Sequence, residues 1–177
     1  HGNSAQEALD LKEEIESLGP QAWSLPSDLS SADEVLRLIS RANEFSPLYA
    51  LVNSAAIFEP LSFQDTKLED WERHISINLT APFLLSQAFA KHTSHGRIVN
   101  ILDWRALRPA ADHFPYTVTK SALAAMTKSL AVALAPHITV NGLALGAILP
   151  PADNLSTSEK ILESVPAKRW SEAGEVE

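Results

Sequence analysis

The 177-residue chain has no cysteine, which excludes disulfides and thiolate metal sites. Its six glycines are scattered, and no glycine-rich loop of the kind that cradles phosphates occurs among them. Positive charge is in deficit: 14 Lys and Arg stand against 22 Asp and Glu, a net charge of −8. That balance argues against a nucleic-acid backbone as partner. No apolar run approaches membrane-spanning length, so no membrane partner is expected. The histidines (His1, His74, His92, His95, His113 and His137) show no metal-ligand spacing beyond His92/His95. Those two sit at a helix end and read as solvated, so no metal is expected. What is there is ordinary globular composition, 45% hydrophobic and 20% charged. The length suits one domain with a sizeable core, and the expected location is the cytoplasm.

Hydrophobic patterning then orders the chain. Ser4 to Glu7 reads as a capping box opening a helix with Leu9, Leu11, Ile15 and Leu18 on one face, stopped near Gly19-Pro20. Residues 21–25 read as a short strand, Ser27-Asp28-Leu29-Ser30 as a turn, and a second helix starts at Ser30 or Ser31. Residues 48–52 form a continuous apolar run, as a buried parallel strand requires. Thr66 and Glu69 suggest a second capping box for a long helix reaching His92, kinked or broken by Pro82. Strands are expected at 97–102 and 138–143, with a helix between them that stops before Pro136. A loop at 146–154 and a short helix at 156–163 follow, and another helix is expected to begin at the end of the sequence. Strands alternating with amphipathic helices predict an α/β fold, a parallel sheet with helices on both faces. Such sheets bind ligands beyond the carboxyl ends of their strands, where Asp28, Asn53 and Asp103 all fall.

Tyr116 and Lys120 lie four residues apart within a helical pattern, so a phenol and an ammonium group share one face. A phenol ionises near pH ~10 and is a poor acid-base catalyst near neutrality; a nearby cation favours the phenolate. The pair is a device for moving a proton at a hydroxyl or imine. On a bare helix surface the same two residues carry no chemistry, so the flanking motifs decide between the readings.

Those flanks are the Asp28-Leu29 turn, Leu51 to Ala56 (LVNSAA), Asn78 to Phe83 (NLTAPF), Ile98 to Ile101 (IVNI), Tyr116-xxx-Lys120-Ser121-Ala122-Leu123 and Val140-Asn141-Gly142. In order and spacing they resemble the short-chain dehydrogenase/reductase family across essentially the whole chain. The resemblance implies a Rossmann-like, doubly wound parallel sheet carrying NAD(P)H. Residues 1–177 would form a single such domain, lacking the family's first strand with its Gly-rich loop and its final helix and strand. Tyr116 would protonate the substrate as hydride arrives. Lys120 would lower the Tyr116 pKa and, with Tyr116, hold the nicotinamide ribose. Asn78 would anchor a water linking Lys120 to solvent. Asp28 and Leu29 would face the adenine, Asn53, Ser54 and Ala55 would line the cofactor's path while Asn53 stabilises the sheet, and Gly146 and Ile148 would approach the nicotinamide amide.

Three positions depart from the family pattern. The family's Ser, thirteen residues before the Tyr, is Asp103 here. An ionised carboxylate only accepts hydrogen bonds, and an anion beside Tyr116 raises its pKa against Lys120. This substitution resembles the pteridine reductase branch and implies a substrate that offers N–H donors, such as a pterin or dihydropteridine. The alternative is that Asp103 caps a loop in an inactive relative. The family's Pro-Gly is Leu145-Gly146, and its Asn-Asn-Ala-Gly is Asn53-Ser54-Ala55-Ala56. No acid occurs in residues 1–4, and Ser4 opens a helix whose free amides attract anions. Asn3 and Ser4 are therefore expected at the adenosine ribose, favouring NADPH over NADH. His113 and Phe114 line the substrate pocket or serve the loop alone. Trp104 stacks on a flat substrate or packs beneath the loop.

The resulting expectation is an NADPH-dependent pterin reductase with a small-molecule substrate. A carbonyl or alcohol oxidoreductase and a non-catalytic NADP(H)-sensing or scaffold homologue are its alternatives. By resemblance the assembly would be a homotetramer, the helix of Ala122, Ala125, Ala131 and Ala133 allowing close approach between subunits.

Overall fold

The computed structural model describes residues 5–146, 148, 162–163, 165–171 and 174. The expected capping residue Ser4 and most of the expected helix at 156–163 lie outside them, as does the chain's end beyond residue 174. The chain divides into two compact units, His1–Leu143 and Ala144–Glu177. Within the second, Lys168 adopts a left-handed backbone with φ +53°, and its Nζ donates to the Glu163 carbonyl at 2.5 Å.

The elements run α1 (Ala5–Ser17), α2 (Ala32–Asn43), β1 (Ala50–Asn53), α3 (Leu68–Ile75), a π-helical turn (Ser76–Thr80), α4 (Ala81–His92), β2 (Gly96–Asp103), a 3-10 turn (Trp104–Ala106), α5 (Phe114–Leu134) and β3 (Ile138–Leu145). The strands form one sheet in the order β1-β2-β3. β1 pairs with β2 in parallel, Ala50 opposite Arg97 and Asn53 opposite Asn100. This is the α/β architecture read from the alternating pattern. Side chains two apart on a strand share a face. On β2 that face holds Ile98 and Asn100, packed beneath α4 and α5. The core gathers Val35 and Ile39 of α2, Leu85 and Phe89 of α4, Ile98 of β2, and Ile138 and Val140 of β3. Gly96 is required where β2 begins: a Cβ there would meet the Tyr49 carbonyl oxygen at 2.6 Å and the Phe89 ring at 2.9 Å.

Ser31 is the N-cap of α2, its Oγ accepting from the Glu34 amide. Three expectations are corrected. Residues 21–25 form no strand, because no described strand offers them a ladder; Trp23 instead stacks on Phe45 at 5.1 Å. The long helix starts at Leu68, not Thr66. Thr66 Oγ1 donates back to the Ser62 carbonyl at 2.6 Å, and Asp70 rather than Glu69 accepts from the Lys67 amide at 3.3 Å. The break expected at Pro82 falls just before it. Pro82 has no N–H for the Asn78 carbonyl four residues back. The register slips to the π form, and the Ala81 amide bonds to the Ser76 carbonyl.

Candidate active site

Asp103 ends β2 and caps the turn that follows, Oδ1 accepting from the Arg105 amide at 2.8 Å. The chain then loops into α5. His113 is its N-cap, in a left-handed conformation at φ 54°, and Pro115 sits in the first turn, where its missing N–H is harmless. This path brings Tyr116 back over Asp103: the phenol donates to Asp103 Oδ2 at 3.0 Å. Lys120, one helical turn on, is 3% exposed, and its Nζ donates to the Ile101 carbonyl of β2 at 2.7 Å. Nζ lies 5.6 Å from the centre of the Tyr116 ring. The strand end and the first turns of α5 thus converge three of the expected residues.

Asn78 fixes the same turn of α5 from the other side. Its Oδ1 accepts from the Ile57 amide at 2.8 Å, and its Nδ2 donates to the Ile57 carbonyl at 3.0 Å and to Thr119 Oγ1 at 3.2 Å. Thr119 donates in turn to the Tyr116 carbonyl at 2.8 Å. The Asn78 side chain is therefore occupied. Its main-chain carbonyl, left without an α-helical donor by Pro82, is the group with capacity for a water.

Burial, then the Asp103 charge and the hydrogen bond to it, push the Tyr116 phenol well above its ordinary range, while Arg105 pulls weakly the other way. The expected depression by Lys120 is absent; the anion and burial win. Burial lowers the Lys120 pKa against the opposing pull of Asp103. Tyr116 is thereby a group that keeps its proton near neutrality.

Beside the carboxyl end of β1 lies a cleft of about 620 Å³ lined by Ser27, Asp28, Leu29, Glu34, Ala55, Ala56, Ile57 and Ile77. Asp28 and Leu29 thus share one cavity with Ala55. Asp28 is also a turn-former: its Oδ1 accepts from the Ser30 hydroxyl at 2.7 Å and amide at 2.9 Å, and these bonds lower its pKa. The Ser27 hydroxyl is buried at the cleft without a partner, an unmet polar group that suits a polar ligand. Asn53 points into the sheet, donating to Asn100 Oδ1 at 2.8 Å and Ser86 Oγ at 3.4 Å. Its structural role is met by its side chain, leaving its backbone and the exposed Ser54 for any ligand. Gly146 and Ile148 belong to the second unit, and Asn3 and Ser4 lie outside the described residues.

The family model for short chain dehydrogenases matches residues 2–160. The chain belongs to the short-chain dehydrogenase family. A 3-oxoacyl-[acyl-carrier-protein] reductase of Synechocystis is 32% identical over 181 residues, 99% of this chain and 73% of that protein. A short chain dehydrogenase from Burkholderia cenocepacia, solved in complex with NADP, is 32% identical with a TM-score of 0.92, covering 98% of this chain and 74% of that one. FolM alternative dihydrofolate reductase 1 from Brucella suis, also solved with NADP, is 31% identical with a TM-score of 0.86, over 98% and 71% of the two chains.

Around this short-chain dehydrogenase centre the aromatic residues sort themselves. His113 stacks on Phe58 at 3.9 Å, and Phe58 meets the Tyr116 ring edge-on at 4.6 Å. His113 thus shares an aromatic cluster with Tyr116, whereas the Phe114 ring packs against Phe63 at 5.2 Å and Trp71 at 6.3 Å. Trp104 is 39% exposed and carries the Arg105 guanidinium over its face at 4.9 Å. Sequence reasoning did not single out Phe58, Arg105 or Asp112, which gather beside Tyr116: Arg105 Nη2 donates to Asp112 Oδ2 at 2.7 Å, and His113 Nδ1 lies 3.0 Å from the same oxygen. Arg105 had a signal, two residues past Asp103 in the same turn; Phe58 had none, since only the fold brings its loop to α5. Among the described residues no helix is long and apolar enough to cross a membrane.

Proposed function

We propose that this chain carries the reaction centre of an NADPH-dependent reductase acting on a pterin or dihydropteridine. The observation behind the reading is the Tyr116 hydroxyl donating to Asp103 at 3.0 Å. A carboxylate can only accept, so groups of the substrate that face Asp103 are N–H donors, as the amino and ring nitrogens of a pterin are. Tyr116, kept protonated by burial and by Asp103, gives its proton to the substrate in the reductive direction. Lys120 recharges it through a water held by the Asn78 main-chain carbonyl, the group the π turn frees. NADPH, when bound, supplies the hydride. Asp28 and Leu29 hold the adenine, Asn53, Ser54 and Ala55 line the path, Tyr116 and Lys120 take the ribose, Gly146 and Ile148 the nicotinamide amide, and Asn3 and Ser4 the 2′-phosphate. The unpartnered Ser27 hydroxyl and the small residues Ala55 and Ala56 in the β1 cleft support that fit, as does NADP in the Brucella and Burkholderia structures. The protein is taken as cytoplasmic and as a homotetramer packed through α4 and α5, where Val132 is 82% exposed.

The likeness to a 3-oxoacyl-[acyl-carrier-protein] reductase favours a second reading, in which Tyr116 protonates a carbonyl oxygen. NADPH oxidation by the full-length protein against dihydropterins and a panel of ketones and aldehydes separates the two. Turnover of pterins that is lost in Asp103→Ser supports the first reading, and turnover of carbonyls alone replaces it with the second. Tyr116→Phe abolishes turnover in either. NADPH binding without turnover of any substrate makes the protein a sensor or scaffold.

A further inference from the structure

We propose that Arg105 is a specificity-determining residue that anchors a carboxylate on the substrate, set apart from the bond being reduced. The inference rests on the reductase reading above. The Arg105 side chain is only 15% exposed. Of its three guanidinium nitrogens, Nη2 alone has a hydrogen bond among the described residues, donating to Asp112 Oδ2 at 2.7 Å. Nε is buried with no partner. A guanidinium carries five N–H donors in a rigid fork, and a buried donor left unmet is costly, so this arrangement calls for an acceptor.

The surroundings place that acceptor at the reaction centre. The guanidinium carbon lies 4.9 Å from the Trp104 ring centre and 5.6 Å from that of Phe58. Two aromatic rings hold the fork and shield it from water, which strengthens any pairing with an anion. Phe58 touches the Tyr116 ring at 4.6 Å, so the cation and the reacting phenol share one neighbour. The guanidinium also pulls the Tyr116 phenol downward, which agrees with that proximity. The backbone of Arg105 is pinned by Asp103 Oδ1 at 2.8 Å, so the anchor is registered to the carboxylate beside the reaction centre.

Asp103 repels an acid at the reacting atoms, and Arg105 attracts one along the aromatic wall. Together they select a flat substrate whose carboxylate is several atoms from the reduced bond. Asp112, half exposed and shared with His113 at 3.0 Å, is a competitor that a bidentate substrate carboxylate displaces.

The test uses the full-length protein with NADPH and two matched pairs: a dihydropterin carboxylate with its methyl ester, and an aryl oxo acid with its methyl ester. For the pair that is turned over, the acid is preferred over its ester at least tenfold in kcat/KM. Arg105→Met lowers that ratio tenfold or more, chiefly through the KM of the acid; Arg105→Lys restores part of it, and Asp112→Asn raises it. An acid-to-ester ratio near one in the unmodified enzyme overturns the proposal without recourse to any variant. So does a ratio unchanged in folded Arg105→Met. Absence of turnover with all four compounds instead defeats the reductase reading on which the anchor depends.

Discussion

Replacing Asp103 by Asn removes the charge beside Tyr116 while keeping an oxygen for the Arg105 amide, which the carboxylate now caps at 2.8 Å. The bond lost in kind is the one from the phenol to Asp103 Oδ2 at 3.0 Å, made by a tyrosine only 7% exposed. A hydrogen bond to a charged group is worth about 1.5–3 kcal/mol, so taking about 2 kcal/mol the phenol of Asp103→Asn ionises with a roughly thirtyfold larger constant. The chain has two tyrosines, Tyr49 and Tyr116, so near-ultraviolet absorbance of tyrosinate, with Tyr116→Phe as the baseline, follows the transition directly. Stability supplies a second reading. The folded-state pKa of Tyr116 is raised, so above the ordinary phenol pKa of about 10 the folded chain holds a proton that the unfolded chain has released, and stability falls as pH rises. The stabilisation is complete below that pH and is lost as pH climbs through the folded value. Asp103→Asn shrinks this alkaline loss. Asp103 also supports the charge on Lys120, so the comparison is made as a double-mutant cycle with Tyr116→Phe, which isolates the phenol. A tyrosinate transition that stays in place, or moves to higher pH, refutes the account of Tyr116 as a phenol held protonated by its neighbour.

Asn78→Ala leaves the main-chain N–H and C=O of Ile57 and the Thr119 hydroxyl short of a partner. It should cost about 2–3 kcal/mol, read as a lower urea midpoint at unchanged slope. Gly96→Ala forces a methyl group against the Tyr49 carbonyl at 2.6 Å. A loss of about 1–3 kcal/mol is expected by the same assay, and a neutral result would show that the start of β2 can shift.

The convergence of Tyr116, Lys120 and Asp103 was legible because it is local. Tyr116 and Lys120 are one helical turn apart, and Asp103 lies a fixed count upstream, at a strand end that apolar patterning located. The cluster of His113, Phe58 and Arg105 was not legible, because it joins the β1–α3 and β2–α5 connections, whose residues follow no period and meet only when β1, β2 and α5 assemble. Residues 21–25 misled for the converse reason: strand composition is local, but a ladder needs a neighbour. Pro82 did signal a break, and its consequence appeared upstream because a proline disturbs the carbonyl four residues before it.

Geometrically, the Ser76–Thr80 turn is an α-helix carrying one surplus residue. Each residue advances a regular helix by about 100°. A π turn is wound less tightly, so the five residues 76–80 cover about the rotation that four α-helical residues do, roughly 400°. The surplus residue is absorbed within the turn, and α3 and α4 stay in phase, with His74 and Phe89 both on buried faces. What the wide turn adds is local: a polar contact between two packing faces, with Asn78 set against Ile57 and Thr119. Excising one codon within residues 76–80 is therefore expected to spare the core faces of α3 and α4 and to displace Asn78, while Pro82 still leaves one carbonyl without a donor.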